Sequence, residues 1–316
     1  MFRSVVQIPS YPEKISYEHN IMSLGSCFSE NIGMKLQSAY FSIDINPFGI
    51  LFNPVSIKNC IEKLIKNNAF VEKDLFKHQS LWGSFYHSTL FSATSPEVCL
   101  KNINERFEKG HENLEKANFL LITFGTAWIF EHKETNTVVT NCHKLPASNF
   151  VRRRLSVDEI VSEYIALFHK LHILYPTLKI ILTVSPVRHW KDGANDNNLS
   201  KSILLLAVDK IQSLFEHVFY FPAYEIMMDE LRDYRFYDKD MFHPSEVAID
   251  YIWQRFSETF FSQKTLQLKK KLENIRQQTE HRPIHPDTIE HSYFMYMLEQ
   301  QKAQLKQQYP FLAGRI

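Results

Sequence analysis

Short apolar runs recur along the chain at Ile21–Leu24, Phe119–Phe124, Ile180–Val184 and Val218–Phe221, each rich in Ile, Leu, Val and Phe. Runs of this length with no alternating polar face predict strands buried on both sides. Between them, apolar residues return at helical spacing over Ser29–Ala39, Pro54–Lys66, Ser95–Lys116, Ser156–Leu174 and Leu199–Phe215, and Ser156 with Glu159 has the spacing of a capping box. Strands alternating with helices predict a mostly parallel sheet covered by helices on both faces, a three-layer α/β/α sandwich. One interruption is Ala127–Thr140, where "AWIFEH" and "TVVT" flank "KETN" and predict a β-hairpin grafted onto that sheet.

After about Lys264 the pattern changes. "QLKKKLENIRQQTEHRP" and "YMLEQQKAQLKQQYP" are polar, glutamine-rich and helical around a His-Arg-Pro loop. The chain therefore divides into a main domain over 1–263 and a C-terminal helical extension over 264–316, packed on that domain or on a partner. With 316 residues, 44% hydrophobic and 22% charged, there is ample apolar surface for a core.

Thirty-six Lys and Arg balance thirty-five Asp and Glu, a formal charge of +1. No long-range field draws the chain to nucleic acid or an anionic membrane. The N-terminal residues hold no apolar core of signal-peptide length, and no run approaches the ~20 apolar residues of a membrane span. A cytoplasmic protein is the expectation. Cys27, Cys60, Cys99 and Cys142 are scattered without C-x-x-C pairing, so neither a zinc site nor a disulfide framework is indicated. Cys142 and His143 are adjacent but have no further ligands at suitable spacing. No metal and no cofactor are expected.

The chemistry concentrates in two places. In "IMSLGSCFSENIGMKL" a predicted strand reaches Gly25-Ser26-Cys27 and a helical segment follows. Ligands of open α/β sheets bind beyond the carboxyl ends of the strands, and a thiol at a helix N-terminus feels the positive end of its dipole, which lowers its pKa. The competing reading is that Ser26 or Ser29 caps the helix while Cys27 fills a gap. In "YDKDMFHPS", Asp240 and His243 lie three apart before a helix starting near Pro244 or Ser245, a spacing that lets the carboxylate accept from one ring nitrogen while the other faces a nucleophile.

A G-x-[SC] turn after the first strand and a D-x-x-H-P loop before a late helix resemble the SGNH hydrolases, the esterase and lipase group whose first block reads G-D-S. More narrowly, "LGSCFSENIG" resembles the GSCFA family, and so do "NPFGILFNP", "LWGSFYHS", "TFGTAW", "NCHKLP", "TVSPVRHWKDG" and "DMFHPS", in order over roughly Met22 to Phe260. The resemblance implies an acyl-enzyme mechanism on a Cys27-His243-Asp240 set. Cys27 stands at the nucleophile's place and Ser26 at the aspartate's, which leaves Ser26 as a second candidate nucleophile. Gly49 is similar to the glycine that supplies an oxyanion N–H. The third block falls on Gly125, Thr126, Ala127 and Trp128, so Ala127 replaces an asparagine and another donor must compensate; Thr126, Asn46 and Asn141 are candidates.

Trp82, His87 and His143 belong to family-like motifs outside the general blocks, and Arg188 and His189 follow a strand at its carboxyl end. All five are candidates for the substrate pocket, Arg188 as a bidentate clamp on a carboxylate or phosphate. Phe28, Phe48 and Phe52 lie near the motif turns and are candidates for an acyl wall. The implied activity is ester or thioester hydrolysis on a small molecule or an O-acylated carbohydrate. Acyl transfer on the same site, or a non-catalytic binding or scaffold protein on the same fold, are the alternatives.

Overall fold

The computed structural model describes residues 4–316. Five parallel strands form the central sheet: β1 (Asn20–Gly25), β2 (Ser42–Ile45), β3 (Phe119–Phe124), β4 (Lys179–Val184) and β5 (Val218–Tyr220), in spatial order β2-β1-β3-β4-β5. The register sets Gly25 beside Thr123 and Phe124 beside Val184, so the carboxyl ends of β1, β3 and β4 finish together. β2 escapes a hydrophobicity scan because it is a four-residue edge strand, "SIDI", whose Asp44 is buried against Arg106 and Asn113 rather than in apolar packing.

The two faces of the sheet carry two separate cores. Met22, Leu24, Leu120, Ile122, Phe124, Ile180, Leu182 and Val184 point to one side. They meet the buried stripes of α2 (Pro54–Lys66), α3 (Pro96–Glu115), α4 (Val157–Leu174) and α5 (Gly193–Leu214). Ile21, Phe119, Leu121, Ile181 and Phe219 point the other way, onto α1 (Cys27–Ser38), α6 (Glu246–Phe260) and α7 (Gln263–Glu280). This period-two division is what buries both faces of nearly continuous apolar strands. α7 contributes Leu268 and Leu272 to the second core, and after α8 (Ile289–Gln308) Arg315 donates to Tyr17 O at 2.8 Å.

The helix starts follow local chemistry. Asn53, with Pro54 behind it, accepts from Ser56 N; Ser95 accepts from Val98 N; the Ser156–Glu159 capping box forms; Ser245 accepts from Ala248 N.

One expectation is corrected. The hairpin after β3, Trp128–His132 with Thr137–Val139, does not join the main sheet; it pairs antiparallel with Phe150–Arg154 in a three-stranded sheet of its own. Both edges of β3 are already bonded, to β1 and β4, so a hairpin leaving its end has no free edge there to extend. No helix among the described residues is long and apolar enough to cross a membrane.

Candidate functional site

Gly25, Ser26 and Cys27 turn the chain from β1 into α1. Gly25 N donates to Asn46 Oδ1 at 3.0 Å, Leu51 N donates to Gly25 O at 2.9 Å, and Ser26 N reaches Thr123 O at 3.4 Å. The turn is thus pinned by β3 and by the loop after β2. Ser26 occupies the N-cap position, yet its hydroxyl makes no cap bond and is buried without a partner among the described residues. The capping reading therefore holds for the position and fails for the bond.

Cys27, the first helical residue, is partly buried. Burial pushes its thiol above the usual range, an effect larger than the pull of the Phe28 and Cys27 N–H groups and of the Lys201 charge, while Glu30 adds to the rise. The expected lowering by the helix terminus is overturned: the N–H groups at that terminus do pull the thiol down, and desolvation outweighs them.

Asp240 and His243 form the arrangement their spacing predicts. Asp240 Oδ1 accepts from the N–H groups of Phe242 (2.8 Å) and His243 (2.9 Å), and Oδ2 pairs with His243 Nδ1 at 2.5 Å. These bonds hold the carboxyl at a pKa of about 2. The loop is tied to the end of β4 through Arg188 N, which donates to Phe242 O at 3.3 Å. No hydrogen bond joins Cys27 to His243 among the described residues; His189, in the segment after β4, is lowered to about 4 chiefly by burial and then by the charges of Lys201 and His243.

The oxyanion candidates separate. Gly49 N donates to Asn46 O at 2.8 Å inside its own turn, so Gly49 is corrected from donor to turn residue. Gly125 N and Thr126 N both donate to Phe52 O, at 2.8 and 2.9 Å, and the Thr126 hydroxyl bonds Ser200 Oγ and Trp128 N. Both are committed to the loop. Asn46 differs: its side-chain oxygen holds Gly25 N while its Nδ2 is buried with no partner among the described residues, a donor beside the Gly25–Cys27 turn.

Three pocket candidates lie elsewhere. His87 is enclosed by the rings of Phe48, Phe70 and Phe91 at 4.9 to 5.0 Å, and its pKa falls to about 3 through burial. Trp82 and His143 line a different cavity of about 220 Å³ with Phe76, Leu81 and Thr89, whose walls include none of Gly25, Ser26 or Cys27. Their motifs follow the packing of the Phe76–His78 and Leu81–Gly83 hairpin. Arg188 lines a third space, a groove of about 550 Å³ with Trp190, Tyr234, Tyr237, Met241 and Phe242; Met241 and Phe242 belong to the Asp240–His243 loop, while Gly25, Ser26, Cys27 and His243 are not among its walls. Trp190 and Phe242 stack at 5.7 Å.

The residue that motif reading misses is Lys201. It is 1% exposed, and Nζ donates to Gly125 O at 2.6 Å and Ser185 O at 2.7 Å. Its signal was in the period: Lys201 shares the buried stripe of Leu204, Val208 and Ile211 in α5, a position that helical spacing assigns to an apolar residue.

A parallel sheet in the order β2-β1-β3-β4-β5 covered by helices on both faces, with a Gly-Ser-Cys turn after its first strand and an Asp-His loop before a late helix, is an SGNH-like α/β fold. Within that class the chain belongs to the GSCFA family, whose model matches residues 20–256, and the model of the GSCFA domain protein C-terminal domain matches residues 272–314. No curated protein matches the sequence. Solved structures similar in fold include a Clostridium thermocellum family 3 carbohydrate esterase (13% identity, 80% of this chain and 98% of that one, TM-score 0.34). A provisionally assigned acylhydrolase from Bacteroides fragilis is 12% identical over 83% of this chain and 91% of that one, with a TM-score of 0.38. An acetyl xylan esterase from Butyrivibrio proteoclasticus is 11% identical over 85% and 66%, with a TM-score of 0.36.

Proposed function

We propose that the chain is an ester or thioester hydrolase working through an acyl-enzyme on Cys27. The observation that carries this is the Asp240–His243 pair, a carboxylate fixed by two backbone N–H groups that orients an imidazole beside an open groove. The Cys27 thiol gives its proton to His243 as its sulfur attacks the acyl carbon. His243 passes that proton to the departing oxygen, then takes a proton from the water that releases the acid and returns it to the thiolate, with Asp240 holding its tautomer and supporting the imidazolium. The N–H groups at the start of α1 and Asn46 Nδ2 hold the oxyanion.

The groove favours an O-acylated carbohydrate, since Trp190, Tyr234, Tyr237 and Phe242 offer flat faces to a sugar ring and Arg188 offers a cation. We assign residues 1–263 to the catalytic unit and 264–316 to a helical extension that completes its second core. A cytoplasmic location fits four thiols that all remain unpaired.

The test is hydrolysis of p-nitrophenyl acetate and of acetylated xylo-oligosaccharides, with intact-mass detection of the acyl-enzyme. The wild type should turn over. Cys27→Ala should lose the adduct, and His243→Ala should lose turnover by on the order of 10²–10⁴. A protein inert toward every acyl donor, with no adduct, removes the proposal and leaves a binding protein on this fold.

A further inference from the structure

The antiparallel hairpin of Phe76–His78 with Leu81–Gly83 presents two faces. Lys77 and Trp82 pair on one, while Phe76 with Gly83 and His78 with Leu81 share the other. That second face floors the cavity of about 220 Å³, which Thr89, Ser92, His143 and Lys144 border from two other loops. The segments "LWGSFYHS" and "NCHKLP" thus meet at one place, and the acyl-enzyme reading uses neither.

A Cβ built on Gly83 would lie 3.2 Å from Phe76 Cζ and 3.3 Å from both His143 Nδ1 and Ser92 Oγ, so the bare glycine leaves a cradle bordered by two polar atoms. His143 is 8% exposed, and its Nε2 lies 3.0 Å from Ser84 O. Burial keeps its pKa below the ordinary value, an effect larger than the upward pull of the Ser84 and His87 carbonyls, and the charge of His78 adds to the lowering. The ring is therefore neutral at pH 7, its one proton serves the carbonyl at Nε2, and Nδ1 is left as an acceptor. Among the described residues the Ser92 hydroxyl, the Gln79 amide and the Lys144 ammonium have no hydrogen-bond or ion-pair partner, and the walls hold no Asp or Glu. Gln79 (φ 54°), His143 (49°) and Lys144 (59°) are all left-handed, a conformation that residues other than glycine avoid and that collects at binding sites.

We propose that this cavity binds a sugar acid, one ring that sets a hydroxyl in the Gly83 cradle and turns its carboxylate toward Lys144 and His78. The hydroxyl donates to His143 Nδ1, which can only accept, and accepts from Ser92 Oγ. Phe76 and Leu81 offer apolar surface to the C–H face of the ring. Walls that hold a lysine and histidines but no carboxylate favour an anion over a neutral ligand. A volume of about 220 Å³ falls below the ~300–1,000 Å³ of drug-sized sites and limits the occupant to about one ring. The site is separate from the proposed catalysis, since none of Gly25, Ser26, Cys27, Asp240 or His243 lines it.

The experiment titrates the full chain with methyl β-glucuronide and methyl β-glucoside, two rings that differ only in a carboxylate for a hydroxymethyl group, and reads binding by saturation-transfer NMR. The glucuronide should bind saturably and about two- to fivefold tighter than the glucoside, the range of one exposed ion pair. Gly83→Ala fills the cradle with a methyl group and should abolish saturable binding of both. Lys144→Gln, at an exposed position, should lower the glucuronide to the affinity of the glucoside. Melting temperatures identify a variant that fails to fold, and if Gly83→Ala fails, Lys144→Gln decides. The inference is overturned by a glucuronide that does not saturate or binds no tighter than the glucoside, or by a Lys144→Gln protein that still prefers the glucuronide. Binding that survives Gly83→Ala overturns it as well, and places the ring elsewhere, as in the Arg188 groove. A protein that binds the glucuronide at this cavity but hydrolyses no ester removes the proposed activity and leaves the site standing.

Discussion

Replacing Gly25 with alanine tests the close approach of β1 and β3 that sets the turn. Gly25 has φ +151°, and a Cβ there would lie 2.4 Å from Thr123 O, 2.8 Å from Thr123 Cβ and 2.9 Å from Thr123 N. Thr123 is the register partner of Gly25, so these atoms can retreat only if the two central strands part where Ser26 N meets Thr123 O. Backbone strain costs about 1–3 kcal/mol and overpacking about 1–3 kcal/mol more, a total of about 2–6 kcal/mol. With an unfolding entropy of about 2.1 cal/mol/K per residue over 316 residues, that lowers Tm by about 3–9 °C. Gly193→Ala is the control: φ is +78° and nothing lies within 4 Å of the new Cβ, so only strain remains. Its Tm should fall by about 2–5 °C. Scanning calorimetry on both proteins separates the two terms. If Gly25→Ala melts no lower than Gly193→Ala, the strand contact does not resist a methyl group and the reasoning fails.

Two further expectations concern buried polar groups. The unfolded chain binds a proton at His87 from pH 6.5 downward while the folded chain does not until about pH 3, so stability should fall as pH drops through that window and stay flat above it. The limit is about 5 kcal/mol across the window, at about 1.4 kcal/mol per unit. His87→Phe should flatten the slope in urea titrations at successive pH values, and an unchanged slope would refute the assignment. Glu230 accepts from Val6 N at 2.8 Å and from Tyr251 and Arg255 with its side chain fully enclosed. Glu230→Ala leaves Arg255 with the 3.8 Å contact to Glu258 and the Val6 carbonyl, and should cost about 3–5 kcal/mol in urea unfolding; a loss under about 1 kcal/mol would contradict it.

Elements whose chemistry is local were legible in the sequence. The six-residue run Phe119–Phe124 could be little but a buried strand, and Pro54–Lys66 announces itself through Asn53 and Pro54. The Asp240–His243 pair was legible because three residues of loop place both groups on one turn. What was not legible depends on partners far along the chain. The edge strand Ser42–Ile45 is stabilised by pairing with β1 and by Arg106, and the fate of the Ala127–Thr140 hairpin was decided by whether β3 had a free edge. Gly49 looked like an oxyanion donor until Asn46 O took its N–H, an acceptor that only the folded turn supplies.

The topology explains why the candidate site draws on such distant segments. Between β1 and β3 the connections diverge, α1 to one face and α2 and α3 to the other, which opens a crevice at the carboxyl end of the sheet. Gly25–Cys27, Gly125, Ser185–His189 and Asp240–His243 reach that edge as the ends of strands or the loops beyond them. Lys201 does not; it comes up from within α5, through the layer that elsewhere holds Leu204 and Val208. A residue on a covering helix can reach the strand ends only with a long side chain, and only where the strands offer unpaired carbonyls, as Gly125 O and Ser185 O do. Methionine could span the same distance but would leave both oxygens buried without donors, at about 1–3 kcal/mol each. The lysine thus satisfies two carbonyls that the strand ends leave open.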